Sequence, residues 1–430
     1  MKERFDVIVV GAGPAGLAAA YTTAKAGLKT IIFERGEFPG SKNMFGGVLF
    51  AHSLSEMFPD FWEEAPLERA LVEERYWLLS EDSATTFSFK TKSFGQPPYN
   101  GFSVLRAKFD RWFAEKAVEA GALLVNETLV EKLIQKDGKT IGVQTGREDG
   151  DVYGDVVIVA EGVNSLLTKE LGIHEEWRGN EVGVGVKELI SLPKETIQER
   201  FNLEGNEGIA MRILGTTRGM TGGAFLYTNK ASVSIGVACM VEDVSNECVC
   251  PNDLIDDLKN HPMVKPLIAG GSTKEYSAHM IPEAGFRSIP ELVHDGLMIV
   301  GDAAMLTILI TGEGANLAVT SGRLAGEAAV KAKENGDFSA NGLSSYKEAM
   351  DESYVIKDLK QFKDFAGYFH SNRDILNLYP SLLNGIVKQV IATDGLPRSE
   401  KIERAKAMLK EKKSYWQLMK EAWHGWRSIR

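Results

Sequence analysis

Residues 6–10, Asp-Val-Ile-Val-Val, form a short β-branched apolar run, and an Ala-rich stretch over 14–26 follows it and stops at Gly27. The pattern predicts a parallel strand buried on both faces and then a helix. Residues 29–33 repeat the strand pattern and run into Glu34 and Arg35. Farther on, Phe109, Trp112, Phe113 and Ala117 share one face of a helix predicted over 102–120, which Gly121 stops. Residues 123–125, 128–134 (including Val130) and 140–144 read as strands, with a hairpin turn at 136–139. Two further apolar runs, at 156–159 and within 296–304, read as buried strands that end in Glu161-Gly162 and in Asp302. Residues 182–186 and 231–240 alternate apolar and small residues, as antiparallel strands do, and Asn229-Lys230 suits a turn. Beyond Asn335 strand signals cease and the pattern is helical.

Strands followed by turns and helices predict an α/β chain, and the turns carry the candidate chemistry. Between the first strand and helix lies Gly11-Ala-Gly-Pro-Ala-Gly16. Gly11 permits a tight turn, Gly13 lets the backbone approach a pyrophosphate, and Gly16 lets the helix pack against the strand. Pro14 and Ala15 open a helix whose N-terminal amides face the phosphates. Glu34, eighteen residues past Gly16, is placed to accept hydrogen bonds from ribose hydroxyls. A lone glycine-rich turn is weak evidence, but here strand, glycines, helix, strand and acid occur in order, so a dinucleotide is expected. FAD and NAD share this opening. Arg106, at the start of its helix, reaches either a phosphate or an ordinary surface ion pair. Gly46 and Gly47 lie in a glycine-rich loop over 41–47. Gly312, Gly314 and Asn316 begin a helix whose amides can hold partial negative charge on a ring carbonyl.

Composition narrows the class. At 430 residues two or three domains are expected, and 44% hydrophobic with 25% charged residues is ordinary for a soluble globular protein. No signal peptide and no membrane-spanning run is read, and three cysteines suggest a reducing compartment. They are too few for a four-cysteine cluster, and Cys248-Val-Cys250 with scattered histidines gives no metal site. A net charge of −10 argues against nucleic acid, yet residues 398–430 hold ten Lys or Arg against four Glu. There Tyr415, Trp416, Met419, Trp423 and Trp426 recur at helical spacing beside Lys412, Lys413, Lys420 and Arg427, as in a helix lying at a membrane surface. The alternative is a terminal helix docked on its own domain or on a partner. Residues 376–391 add a dense apolar group too short to span a bilayer.

The glycine turn with Glu34, the Ala160-Glu-Gly162 turn and Gly301-Asp302, in that order, resemble the flavoprotein superfamily of aromatic hydroxylases, geranylgeranyl reductases and quinone oxidoreductases. The resemblance covers nearly the whole chain, and residues 5–45, 104–121 and 222–228 look most like its FixC branch, the electron transfer flavoprotein:quinone oxidoreductases. It implies FAD, bound through Gly11, Gly13, Pro14, Ala15, Gly16, Glu34, Arg35, Gly46, Gly47, Arg106, Val130, Gly162, Asp302, Gly312, Gly314 and Asn316, with Asp302 toward the ribityl or pyrophosphate part. No residue of the chain is given an obligatory catalytic role. It also implies a Rossmann-like FAD-binding domain over 1–75, 103–180 and 291–334, an antiparallel-sheet substrate domain over 76–102 and 181–290, and a helical region over 335–430.

The implied activity is transfer of electrons from an electron transfer flavoprotein to a quinone, on the cytoplasmic side of the cell membrane. The iron–sulfur cluster that longer relatives carry would then sit on a separate ferredoxin-like subunit. Phe225 and Tyr227, on one face of their strand, could line a quinone channel, core packing being the plainer reading. A geranylgeranyl reductase is the alternative, although the Tyr-x-Trp-x-Phe-Pro type motif of those enzymes is absent around 223–229. A flavin-bearing docking subunit is a third.

Overall fold

The computed structural model describes residues 4–42, 47–308 and 311–429, and these fall into two compact units. Unit 1 comprises Met1–Glu68, Asn100–Glu181 and Met280–Lys360, and unit 2 comprises Arg69–Tyr99, Val182–His279 and Gln361–Arg430.

Unit 1 is organised around the strand Arg4–Val10, whose Val7, Ile8 and Val9 are completely buried. It pairs in parallel with Asp151–Val159 on one side and Thr30–Phe33 on the other, and the sheet continues to Leu297–Ile299 and Leu123–Val125. A strand with neighbours on both edges and helices on its faces has no polar side, which is why its sequence does not alternate. The helix Pro14–Lys25 packs on the long helix Ala315–Asn335 through small residues. A Cβ added at Gly322 would lie 1.9 Å from the Ala15 carbonyl oxygen, so the two backbones touch where any side chain would separate them.

The predicted strands and helices are found, with one displacement. The helix expected over 102–120 is Arg106–Glu119, and Gly101–Val104 ahead of it is a strand paired with Val48–Phe50. All four of its residues are buried, and only the alternation of Phe102 and Val104 with the small Gly101 and Ser103 marks a strand, a signal that the helical spacing downstream obscured.

Unit 2 is built on a sheet in the order Ser272–Pro282, Val182–Ser191, Ser232–Met240, Gly222–Thr228, Glu207–Leu214, Leu67–Ser80, with Ser83–Lys90 hairpinned onto the last. Val182–Ser191 with Ser232–Met240, Ser232–Met240 with Gly222–Thr228, Gly222–Thr228 with Glu207–Leu214, and the Ser83–Lys90 hairpin pair antiparallel, whereas Glu207–Leu214 pairs in parallel with Leu67–Ser80. One face buries Trp77, Met211, Ile213, Leu226, Ile235 and Val237 under the helices Lys194–Phe201 and Pro251–Asn260.

The stretch expected as one helical region from 335 onward is divided: it belongs to unit 1 through Lys360 and to unit 2 from Gln361. Residues 69–75 and 280–290 likewise fall on the other side of the boundaries expected for them. In unit 2, Asn384 on the helix Leu378–Ile391 donates to the Leu78 carbonyl and the Ser80 hydroxyl, both at 2.9 Å, and accepts from Thr85 Oγ1 at 2.6 Å. Three bonds from one buried amide fasten this helix to the hairpin edge of the sheet.

Candidate functional site

The three glycines of the first turn differ in what surrounds them. Gly11 has φ +100°, and a Cβ there would lie 2.3 Å from the Ala160 carbonyl oxygen. A Cβ at Gly16 would lie 1.9 Å from the Gly11 carbonyl oxygen. Gly13, by contrast, has ordinary dihedrals (φ −81°, ψ 179°), and its Cβ would meet nothing within 4 Å. Two of the positions are closed by the protein itself and one faces open space, at the end of a helix whose first N–H groups have no intrahelical partners. Pro14 and Ala15, both buried, form the first turn of that helix.

Glu34 is buried, and its carboxylate accepts from the Ala12 N–H at 3.0 Å and the Gly36 N–H at 2.6 Å. It is thereby fixed across the mouth of the glycine turn. Its own carbonyl accepts from Thr128 N, two residues ahead of Val130, whose buried side chain packs in the same cluster as Phe33. Arg35 is exposed. Gly47 is buried, and its carbonyl accepts from Val104 N at 2.9 Å, while Gly46 lies outside the described residues.

Asp302 lies in the 3-10 turn Gly301–Ala304, at the carboxyl end of Leu297–Ile299. Gly301 has φ +64°, a Cβ there would be 2.9 Å from the Ala15 side chain, and its N–H donates to Ser321 Oγ at 3.0 Å. The Asp302 turn therefore rests directly on the first turn of the glycine helix. Burial pushes the Asp302 carboxyl up to about 6, against the pull of the Arg106 guanidinium. Arg106 is itself buried and bound bidentately by Asp110, at 2.8 Å from Nε and 2.7 Å from Nη2. The ion pair weighed for it at the surface is thus an interior one, within one helix.

Gly162 has φ +79° with open space at its Cβ. Before it, Glu161 caps the helix Leu166–Glu170, accepting from Leu167 N at 2.9 Å and from Thr168 N and Oγ1 at 3.1 Å. The acid of this second turn closes a helix end, where a carboxylate opposes the positive pole. Gly312 has φ +65°, and Gly314 precedes the helix Ala315–Asn335. Buried Asn316 donates to Glu313 at 2.6 Å and meets the Tyr354 hydroxyl at 3.4 Å, which also lies 3.1 Å from Thr320 Oγ1.

Sequence reasoning passed over His174. Its Nε2 donates to the Ala303 carbonyl at 2.7 Å, its ring meets Trp177 edge-on at 4.6 Å, and burial keeps it neutral by lowering its pKa. No motif marks it, because its partner is a backbone atom 129 residues away.

In unit 2 the sheet face opposite the packed core carries Phe225 and Tyr227, stacked at 4.9 Å and 16°. Their strand neighbours Ala224 and Leu226 point into the core. Arg212, register partner of Phe225, lies over the Tyr76 ring and pairs with Glu74. Burial pushes the Tyr227 phenol up to about 12. Among the described residues no three His, Cys, Asp or Glu side chains group as metal ligands, and the three cysteines are free.

A family model described as FAD dependent oxidoreductase matches residues 6–167, and one described as the ETF-QO/FixC family C-terminal domain matches residues 365–430. The chain is 46% identical to protein FixC of Bradyrhizobium diazoefficiens over 95% of its own length and 94% of that protein. It is 40% identical to the probable electron transfer flavoprotein-quinone oxidoreductase YdiS of Escherichia coli K12, over 92% of each. Among solved structures, a geranylgeranyl bacteriochlorophyll reductase-like protein from Thermoplasma acidophilum shares its fold at a TM-score of 0.73 and 23% identity, covering 95% of this chain and 98% of that one. The halogenase CndH does so at 0.67 and 18%, covering 92% and 91%.

Proposed function

The chain belongs to the ETF-QO/FixC family of FAD-dependent oxidoreductases, and from that premise we propose that it takes electrons from an electron transfer flavoprotein and delivers them to a quinone. The observation that carries the proposal is the 40% identity to YdiS, a probable enzyme of that activity, held over 92% of both chains.

The residues fit FAD. Open space at the Gly13 Cβ, beside helix N–H groups and under the Asp302 turn, is the cradle a pyrophosphate needs. In this reading Gly11 and Gly16 hold the turn's shape while Gly13 and the amides of Ala15 and Gly16 contact phosphate. Glu34 takes the ribose hydroxyls, Val130 flanks the adenine end, and Asp302 takes the ribityl chain. Gly47, Gly162 and the Gly312, Gly314 and Asn316 segment surround the remainder. Arg35 contributes from the exposed side. Arg106 acts through Asp302 and Asp110, its Nε and Nη2 being engaged by the latter. FAD supplies the electron-carrying chemistry, and the chain supplies binding and orientation.

For the acceptor, the stacked Phe225 and Tyr227 offer an aromatic wall suited to a flat quinone ring. The helix Tyr415–Ser428 suits an anionic membrane surface, since Trp416, Trp423 and Trp426 are 78%, 56% and 46% exposed. Lys413 is not among its lipid-facing cations: half-buried, it pairs with Asp374 and Glu421, at 2.5 Å from each. No helix among the described residues is long and apolar enough to cross a membrane. In this reading the iron–sulfur cluster sits on a separate ferredoxin-like subunit, which accords with three cysteines in 430 residues.

The test is reduction of a soluble quinone analogue by the purified FAD-loaded protein, given reduced electron transfer flavoprotein with and without that subunit. Quinol should form only when donor and enzyme are both present. Absence of transfer from every donor combination, with FAD bound, overturns the reading.

A further inference from the structure

The stretch after the helix Leu166–Glu170 has no part in the reading above, yet it touches both of the turns that carry Gly162 and Asp302. The chain reverses at Gly172, φ +70°, and the Ile173 N–H closes the reversal on the Thr168 carbonyl at 2.9 Å. His174, buried, and Trp177, half-buried, follow. The His174 Nε2–H donates to the Ala303 carbonyl at 2.7 Å, and the Trp177 indole N–H donates to the Val163 carbonyl at 2.8 Å. The two rings meet edge-on, and the Lys169 ammonium, paired with Glu176, lies 4.9 Å from the Trp177 ring. One short segment thus joins the residue after Asp302 to the residue after Gly162, and all of it lies within unit 1.

The Asp302 turn requires such fastening. It lies between two left-handed residues, Gly301 at φ +64° and Met305 at φ +59°. A methionine in that conformation is strained and persists only where its surroundings hold it. Inside the turn the Met305 N–H donates to the Asp302 carbonyl at 3.0 Å, which fixes the curl of the backbone but not its direction. Direction comes from side chains on both flanks: Ser321 Oγ accepts from the Gly301 N–H at 3.0 Å, and His174 donates to the Ala303 carbonyl. Asp302 is held through both of its chain neighbours. Burial keeps the imidazole neutral, and the carbonyl then places its proton on Nε2.

We propose that His174 is a positioning residue for FAD: through the Ala303 carbonyl it sets the direction of the Asp302 carboxyl, and with Trp177 it ties the Asp302 turn to the Gly162 turn. The inference rests on the assignment of Asp302 to FAD made above. Without the His174 N–H the strained turn relaxes in the apoprotein, and the cofactor has to restore it on binding. The apparent affinity then falls by the fraction of molecules in which the turn stands ready. The effect runs through Asp302, so it should disappear when the carboxyl is removed.

The test is the FAD dissociation constant of the apoproteins, measured by fluorescence quenching. His174→Phe keeps a ring against Trp177 but has no N–H, and should bind FAD about tenfold more weakly. His174→Gln should recover most of the loss, because its amide nitrogen stands as many bonds from the backbone as Nε2 and donates in the same way. In an Asp302→Ala background the His174→Phe change should move the constant less than about twofold, since residues acting as one unit are not additive. Unchanged affinity in His174→Phe, equal losses in the Phe and Gln variants, additive losses with Asp302→Ala, or wild-type affinity in Asp302→Ala each overturn the inference. If His174→Phe does not fold, Trp177→Phe must weaken FAD in the same Asp302-dependent way, and a loss that persists in Asp302→Ala, or no loss, overturns it equally. Wild-type protein that takes up no FAD refutes the cofactor site and this inference together, whereas the other adverse outcomes strike the inference while the wild type still binds FAD.

Discussion

At the scale of single residues, the glycine turn separates two kinds of requirement that the sequence motif runs together. Gly16 is needed by the fold: its Cβ would lie 1.9 Å from a carbonyl oxygen of the same turn. Gly13 is not, since its dihedrals suit any residue and its Cβ would meet nothing. Gly16→Ala should therefore cost about 1–3 kcal/mol of stability through forced backbone movement. Gly13→Ala should leave the apoprotein's melting temperature unchanged yet weaken FAD binding, because the methyl occupies the space reserved for pyrophosphate. Thermal melts of the apoproteins and FAD titrations by fluorescence quenching check the pair, and a destabilised Gly13→Ala apoprotein would contradict this division. The place of Glu34 beside the glycine turn was legible because its spacing from the glycines is set by one helix and one strand. Arg106 was less so, although its partner stands four residues on, a spacing that places both side chains on one helix face. What the spacing does not reveal is that this face is buried. His174 was not legible at all, since it is defined by a backbone atom brought from a distant segment.

At the scale of elements, the parallel strands of unit 1 could be read directly, being short apolar runs between glycine punctuation. The strand Gly101–Val104 could not, because a four-residue strand running into a helix offers one alternation against several helical repeats. The last helix was legible from its aromatic spacing, and the structure adds its start: Ser414 and Gln417 form a reciprocal capping box. Such a cap satisfies two backbone donors and makes the helix less dependent on neighbours. Its exposed rings then form a stripe that water solvates poorly. Replacing Trp416, Trp423 and Trp426 by Ser should abolish co-sedimentation with anionic vesicles while FAD content and soluble-quinone reduction stay at wild-type levels. Added salt should weaken wild-type binding through Lys412, Lys420 and Arg427. Undiminished sedimentation of the triple variant would exclude this helix as the contact.

At the scale of the whole molecule, the residues assigned to FAD all lie within unit 1, whereas the aromatic wall and the terminal helices lie in unit 2. On the proposed reading, cofactor and acceptor surfaces are carried by different compact bodies of one chain. A ligand stabilises the state that binds it, by about 2.7 kcal/mol when free ligand is ~100 times its dissociation constant. Adding FAD to apoprotein should therefore slow hydrogen exchange throughout the parallel sheet of unit 1 and leave the core strands Val182–Ser191 and Ser232–Met240 unaltered. Equal protection of both would show that the units unfold as one. Alternation of strand and helix at the start of the chain made the fold class readable. The division at Lys360/Gln361 inside the stretch read as one region, 335–430, was not legible, because a run of helices carries no mark of which sheet each helix covers.

The contact of Gly322 with the Ala15 carbonyl has a consequence for biogenesis. A ribosome releases the glycine turn well before the helix that braces it, which is translated some three hundred residues later. Until then the nascent polypeptide has only half a grip, and capture of the vitamin-derived prosthetic group becomes a late event of synthesis rather than an early one.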